Sequence, residues 1–84
     1  MEIVVASYGA KVAARRGLLV VKSKEGAKEY PLHQVDEVFL LTGGISITTR
    51  ALRALLRAGA TVAVFDQRGE PLGVFMKPVG DATG

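Results

Sequence analysis

Thr48-Thr49-Arg50-Ala51-Leu52-Arg53-Ala54-Leu55-Leu56-Arg57-Ala58-Gly59 is the stretch on which the fold turns. It reads as a helix over about 48–58. Thr48 suits the N-cap, because its hydroxyl can accept from an orphan N–H of the first turn. Gly59 suits the stop, where the backbone must turn left-handed. At about 100° per residue, Ala51, Leu52, Leu55 and Leu56 span one broad face. Arg50, Arg53 and Arg57 gather within about 60° on the opposite side. Such a helix packs leucine inward and carries an arginine stripe outward.

On either side of the helix the pattern changes to short apolar runs broken by glycine. Downstream, Thr61 to Phe65 is β-branched and apolar and reads as a buried strand. Asp66-Gln67-Arg68-Gly69 is a turn, and Glu70 to Met76 returns as a strand to close a hairpin. Upstream lie a short strand at Ile45-Ser46-Ile47, a break at Thr42-Gly43-Gly44, and a strand over Glu37 to Leu41 opened by Asp36. Ala27 to Leu32 and Leu18 to Lys22 flank the polar turn Lys24-Glu25-Gly26, a second hairpin signal. Pro31, which has no N–H for a ladder, belongs at a strand end or a sheet edge. Lys11 to Arg15 and Ile3 to Tyr8 complete the set, separated by Gly9. The first of these, Ile3 to Tyr8, is apolar enough to be buried on both faces. The class that follows is α+β, mostly β: seven or eight short strands in hairpins forming a small β-sandwich or roll with one helix. Residues 1–77 form the domain, and 78–84 read as a tail or the start of a linker.

Length and composition bound the functions open to such a domain. The 84 residues bury roughly 60–65% of their unfolded surface and hold one thin core, without room for a deep cleft beside it. There is no cysteine, which removes disulfides, thiolate metal sites and thiol nucleophiles together. No apolar run reaches the roughly 20 residues of a membrane span. The N-terminus carries no basic segment and cleavage site of a secretory signal, so a cytoplasmic protein with no membrane partner is expected. A net charge of +3 permits contact with nucleic acid without requiring it.

The chemistry-bearing residues are few. Glu2, Glu25, Glu29, Asp36, Glu37, Asp66, Glu70 and Asp81 fall mostly in turns or at strand ends, and no spacing joins two of them to His33, the one histidine. Hence a divalent-metal centre, which needs several converging ligands, is not expected in this chain. His33 follows Pro31-Leu32 at the start of a loop and reads as a surface residue. Gly43-Gly44 lacks the spacing of a phosphate-cradling loop and reads as a tight turn. Three positively charged features remain: the stripe of Arg50, Arg53 and Arg57, the pair Arg15-Arg16, and Lys22 with Lys24. The stripe is either a solvated face or a set of guanidiniums that contact phosphates or carboxylates. Tyr8 is either a core or rim residue or an exposed platform on which a base stacks.

Read together, these segments resemble a family. Pro31-Leu32 followed by Val35-Asp36-Glu37-Val38, then Ile47-Thr48, Ala51-Leu52, Leu55 and Gly59, then Val62 to Asp66 with Arg68-Gly69 and Gly73, occur in its order and spacing. So does Gly17-Leu18-Leu19-Val20-Val21 after the opening strand. The resemblance covers about residues 3–77. It is to the N-terminal β-domain of the CRISPR-associated integrase/endonuclease that inserts new spacers during adaptation.

The resemblance implies that a larger helical domain carries the catalytic residues and their divalent metal (Mg or Mn), and that this chain carries neither. It implies a dimerisation and DNA-contacting domain, catalytically inert as a fragment, whose parent transfers phosphodiesters on DNA in antiviral defence. The implied partners are a second copy of the β-domain, double-stranded DNA and a second subunit of the adaptation complex. Exposed strand edges are the expected route to the homodimer. Tyr8-Gly9 falls where some members place an aromatic that caps a duplex end, so Tyr8, Arg15, Arg16, Arg50, Arg53 and Arg57 are the candidate DNA contacts. The rival from another class is a free-standing β-domain that binds an acidic protein partner.

Overall fold

A computed structural model describes residues 1–78, and the expected tail over 79–84 lies outside the described residues. Eight strands and one helix follow in order: β1 (Glu2–Val5), β2 (Lys11–Arg15), β3 (Leu18–Ser23), β4 (Gly26–Pro31), β5 (Glu37–Leu40), β6 (Ser46–Ile47), α1 (Thr49–Arg57), β7 (Thr61–Phe65) and β8 (Pro71–Phe75). A 3₁₀ turn at Leu32–Gln34 follows β4. The mostly-β class with a single helix is what the sequence pattern predicts.

The strands form two four-stranded sheets. The first has the order β1-β5-β7-β8 and the second β4-β3-β2-β6. Hairpins account for β2–β3, β3–β4 and β7–β8. The rest of the first sheet is parallel: β1 runs beside β5, and β5 beside β7. A parallel neighbour needs a crossover, and the chain from Leu41 through α1 to Ala60 supplies one between β5 and β7. β6 likewise lies parallel to β2.

The helix forms for the local reasons visible in its sequence. The Ala51 amide donates to Thr48 Oγ1 at 3.0 Å, and Gly59 ends the last turn at φ +85°. Ala51 and Leu55 are fully buried, with Leu52 and Leu56 half-buried beside them. The helix packs against β2 of one sheet and β7 of the other. The core joins the inner faces of both sheets to it: Ile3, Val5, Val38, Leu40 and Val62 from the first, Val12 and Leu19 from the second.

The first strand departs from the expectation. It ends at Val5, and Ser7–Ala10 form a turn in which the Ala10 amide donates to the Ser7 carbonyl at 3.1 Å. Gly9 supplies the φ of +83° that this turn needs at its third position. Nor is β1 buried on both faces: Ile3 and Val5 point inward while Val4 is 57% exposed. As an edge strand covered on one side only, β1 obeys the alternation of a half-buried strand despite its all-apolar sequence. Pro31 sits as expected at the end of β4, an edge strand.

The register also defines an outer face of the first sheet. Val4, Phe39, Ala63 and Val74 stand in one row across its four strands. The Phe39 and Phe65 rings are 5.9 Å apart. Leu72, Val74 and Met76 are all more than half exposed, and every residue of β8 is exposed. One side of this sheet is therefore core; the other carries an apolar row in which Val4 and Val74 face water, Phe39 is half-buried and Ala63 is buried, with Glu2 and Glu37 on the same face two residues along.

Candidate nucleic-acid interface

Each candidate DNA contact identified in the sequence is at the surface. Arg50, Arg53 and Arg57 are exposed on the side of α1 away from Ala51 and Leu55. Among the described residues none of the three is paired with a carboxylate. The N-cap fixes where this row starts, and the burial of Leu55 fixes how it is rotated.

Arg15 and Arg16 stand at the β2–β3 hairpin. Arg15 is opposite Leu18, leaving Arg16 and Gly17 as a two-residue loop. Both loop residues have positive φ, +53° and +78°, the geometry of a type I′ turn. Arginine is an uncommon first residue for such a turn, which favours Asn, Asp or Gly. Arg15 approaches Glu29 at 3.9 Å with both side chains largely solvated, so this pairing is weak.

The sequence singles out Lys22 but not its partner Lys11, because register decides which residues are neighbours. Lys11 on β2 is directly opposite Lys22 on β3. Arg15 lies on the same outer face, an even number of residues from Lys11 along β2. The second sheet thus presents Lys11, Lys22 and Arg15 together, while Arg50, Arg53 and Arg57 lie on the exposed side of α1.

Tyr8 is 79% exposed, which excludes the core reading. It occupies the Ser7–Ala10 turn, and its ring lies against the glycine turn after β5. A Cβ built on Gly44 would fall 2.5 Å from Tyr8 Cε1. Gly44 itself has φ +75°, as a tight glycine turn requires. His33 is exposed on the 3₁₀ turn.

The carboxylates do not converge. Among the described residues no group of three His, Asp or Glu side chains could hold a metal ion. These residues do not fit the divalent metal that the resemblance implies for the parent, and no chemical step is routed through one here. The one perturbed acid is Glu37, in register with Glu2 across β1–β5. The hydrogen bond it shares with Glu2 raises its carboxyl above the usual 4.5; burial and the charges of Glu2 and Asp36 add to this, and the Met1 ammonium opposes it.

Fold and surface together define a small two-sheet domain with a basic helix face, a basic sheet face and one presented aromatic. The family model for "CRISPR associated protein Cas1" matches residues 3–83, and the chain belongs to the Cas1 family. It is 81% identical, over all of its length, to "CRISPR-associated endonuclease Cas1 2" of Pyrobaculum aerophilum. Over 50 residues, 60% of the chain, it is 84% identical to a "CRISPR-associated endonuclease Cas1/endonuclease Cas2 fusion" of Thermoproteus tenax. The chain spans 28% of the first protein and 19% of the second. Among solved structures, the CAS1 protein of Thermotoga maritima shares the fold at a TM-score of 0.77 and 18% identity, over 90% of this chain and 25% of that one. The "TtCas1-DNA complex" does so at 0.75 and 24%, over 94% and 30%. The region matched in these neighbours is N-terminal.

Proposed function

We propose that the chain is the dimerisation and DNA-contacting part of a Cas1 spacer-acquisition integrase, inert in catalysis by itself and acting in the cytoplasm. The observation that carries this reading is the pairing of two unlike free surfaces on one small fold. The outer face of the first sheet exposes Val4, Leu72, Val74 and Met76, with Glu2 and Glu37 at one end. On the other side of that sheet, α1 carries Arg50, Arg53 and Arg57 without a carboxylate partner among the described residues.

Each surface has its own task in this reading. Apolar area is buried by self-association, and the row Val4, Phe39, Ala63 and Val74 with the open β8 edge is the proposed seat of a second copy. The arginines neutralise phosphates of a duplex, releasing counterions. One solved relative is described as bound to DNA, and others as complexes with Cas2. Their descriptions support DNA and a second subunit, Cas2, as partners of the whole protein. Phosphodiester transfer with a divalent metal belongs, in this proposal, to the remainder of that protein.

Duplex binding by fluorescence anisotropy across a salt series tests it, with an acidic protein at matched ionic strength as the competing ligand. The wild-type chain binds the duplex, and changing Arg50, Arg53 and Arg57 to Ala lowers the slope of log K against log salt by about three. Preference for the acidic protein, or an unchanged slope in the triple variant, overturns it in favour of a protein-interaction module.

A further inference from the structure

β8 is the last strand of the first sheet, and its core side is bare. Phe75 stands opposite Val62 in the β7–β8 register, so its side chain lies on the core side of the sheet. Val62 is fully buried there, yet Phe75 is 50% exposed. Gly73 stands opposite Val64 on the same side, and among the described residues a Cβ built on it would meet nothing within 4 Å. α1 packs on β7. The core therefore stops one strand short of the sheet's edge, and Phe75 and Gly73 form a shelf beyond it.

This shelf is separate from the row on the opposite side, where Val74 stands opposite Ala63. Side chains alternate along a strand, so one surface cannot cover both Phe75 and Val74. A half-exposed phenylalanine beside a fully buried valine, with open space over the neighbouring glycine, has the pattern of a core cut through.

The path of the chain indicates what lies on the missing side. β8 ends at Phe75, and the chain passes through Met76 and Lys77 to Pro78, three residues from the shelf. The chain spans 28% of its Pyrobaculum aerophilum relative. In the solved neighbours the matched region is N-terminal, so there the remainder follows it. Residues 78–84 reach at most about 25 Å when extended. A segment tethered at that distance meets the shelf at an effective concentration of about millimolar, ahead of a separate partner.

We infer that the core side of β8 is the docking site for the part of the full-length protein that follows residue 84. An apolar side chain of that segment sits over Gly73, where no Cβ blocks it, and packs against Phe75. The inference rests on the reading that this chain is one part of a longer Cas1 protein, and it makes no use of the DNA reading. β8 pairs with β7 and α1 packs on β7, so the contact ties the arginine face of α1 to the remainder.

Maleimide labelling of single cysteines in the full-length protein tests it. In this domain Phe75 and Val74 are almost equally exposed, 50% and 54%, on opposite faces. Each site is read by peptide mass spectrometry, at high dilution, with its rate divided by that in denaturant. Phe75→Cys is expected to label about tenfold slower than Val74→Cys, as for a shelf uncovered about a tenth of the time. Gly73→Cys is the second probe, because its Cβ meets nothing in this domain, and it is slowed likewise. Equal rates on the two faces overturn the inference. Slowing at Phe75→Cys and Gly73→Cys that appears only as protein concentration rises also overturns it, and assigns the shelf to a second copy. The dimer proposal is read separately, from slowing of Val74→Cys with concentration, so either reading can fail without the other.

Discussion

Lys11 and Lys22 face each other in register across β2 and β3, on the outer side of the second sheet. Among the described residues neither has a carboxylate in salt-bridge range. Like charges directly opposite one another destabilise a strand pair. A polyanion laid across this face would turn that cost into affinity. Lys22→Gln is expected to raise stability at low salt by about 0.5 kcal/mol, with the gain fading near 1 M salt as screening removes the repulsion. The same variant should lower the salt slope of duplex binding by about one. Thermal melts and binding titrations on one preparation check both signs.

Arg16 supplies a second trade of stability against binding. Its φ of +53° is costly for arginine and ordinary for asparagine. Arg16→Asn should stabilise the hairpin by about 1 kcal/mol, or about 4–8 °C in melting temperature for a domain of this size. Duplex affinity should fall at low salt. A variant that melts higher and binds equally well would remove Arg16 from the DNA surface.

The helix stripe depends on its cap. Thr48→Ala deletes the acceptor for the Ala51 amide and should cost about 1 kcal/mol, while Thr48→Ser keeps most of it. Equal stability of the two variants in denaturant titration would show that tertiary packing alone holds the first turn.

Much of this helix was legible because its determinants are local. The cap, the leucine spacing and Gly59 lie within twelve residues, and the observed span Thr49–Arg57 falls inside the expected 48–58. The turns at Asp66–Gly69 and Lys24–Gly26 were legible for the same reason. Asp66, for example, accepts from the Arg68 and Glu70 amides at 2.8 and 2.9 Å. What the sequence hid depends on partners far along the chain. Nothing in Ile3 to Tyr8 says that β1 pairs with β5, and so nothing says that Val4 faces water. The Lys11–Lys22 row requires the β2–β3 register, and the seat of Tyr8 requires Gly44, a residue of another turn. The apolar outer face of the first sheet shows the same limit. It is assembled from four strands, and its residues read as core until the sheet order is known.

Glu37 gives the chain a pH dependence of predictable sign. Its carboxyl is raised above the usual 4.5 by the hydrogen bond to Glu2. A raised folded-state pKa means the folded chain holds the proton more tightly than the unfolded one. This contribution to stability is fully present below 4.5 and is lost as pH rises through the raised value. Glu37→Gln should therefore flatten the melting profile over that window and raise the melting temperature at neutral pH. A profile identical to the wild type would show that the Glu2–Glu37 pair does not share a proton.

The central claim is that the apolar outer face of the first sheet joins two copies of the domain. The most direct measurement is molar mass by light scattering of the 84-residue chain at low and high salt, with Val74→Lys alongside. The account predicts twice the 8.9 kDa of one chain at both salts, because apolar burial is weakly screened, and a folded monomer for Val74→Lys. A wild-type monomer at both salts, or a dimer that survives Val74→Lys, would contradict it.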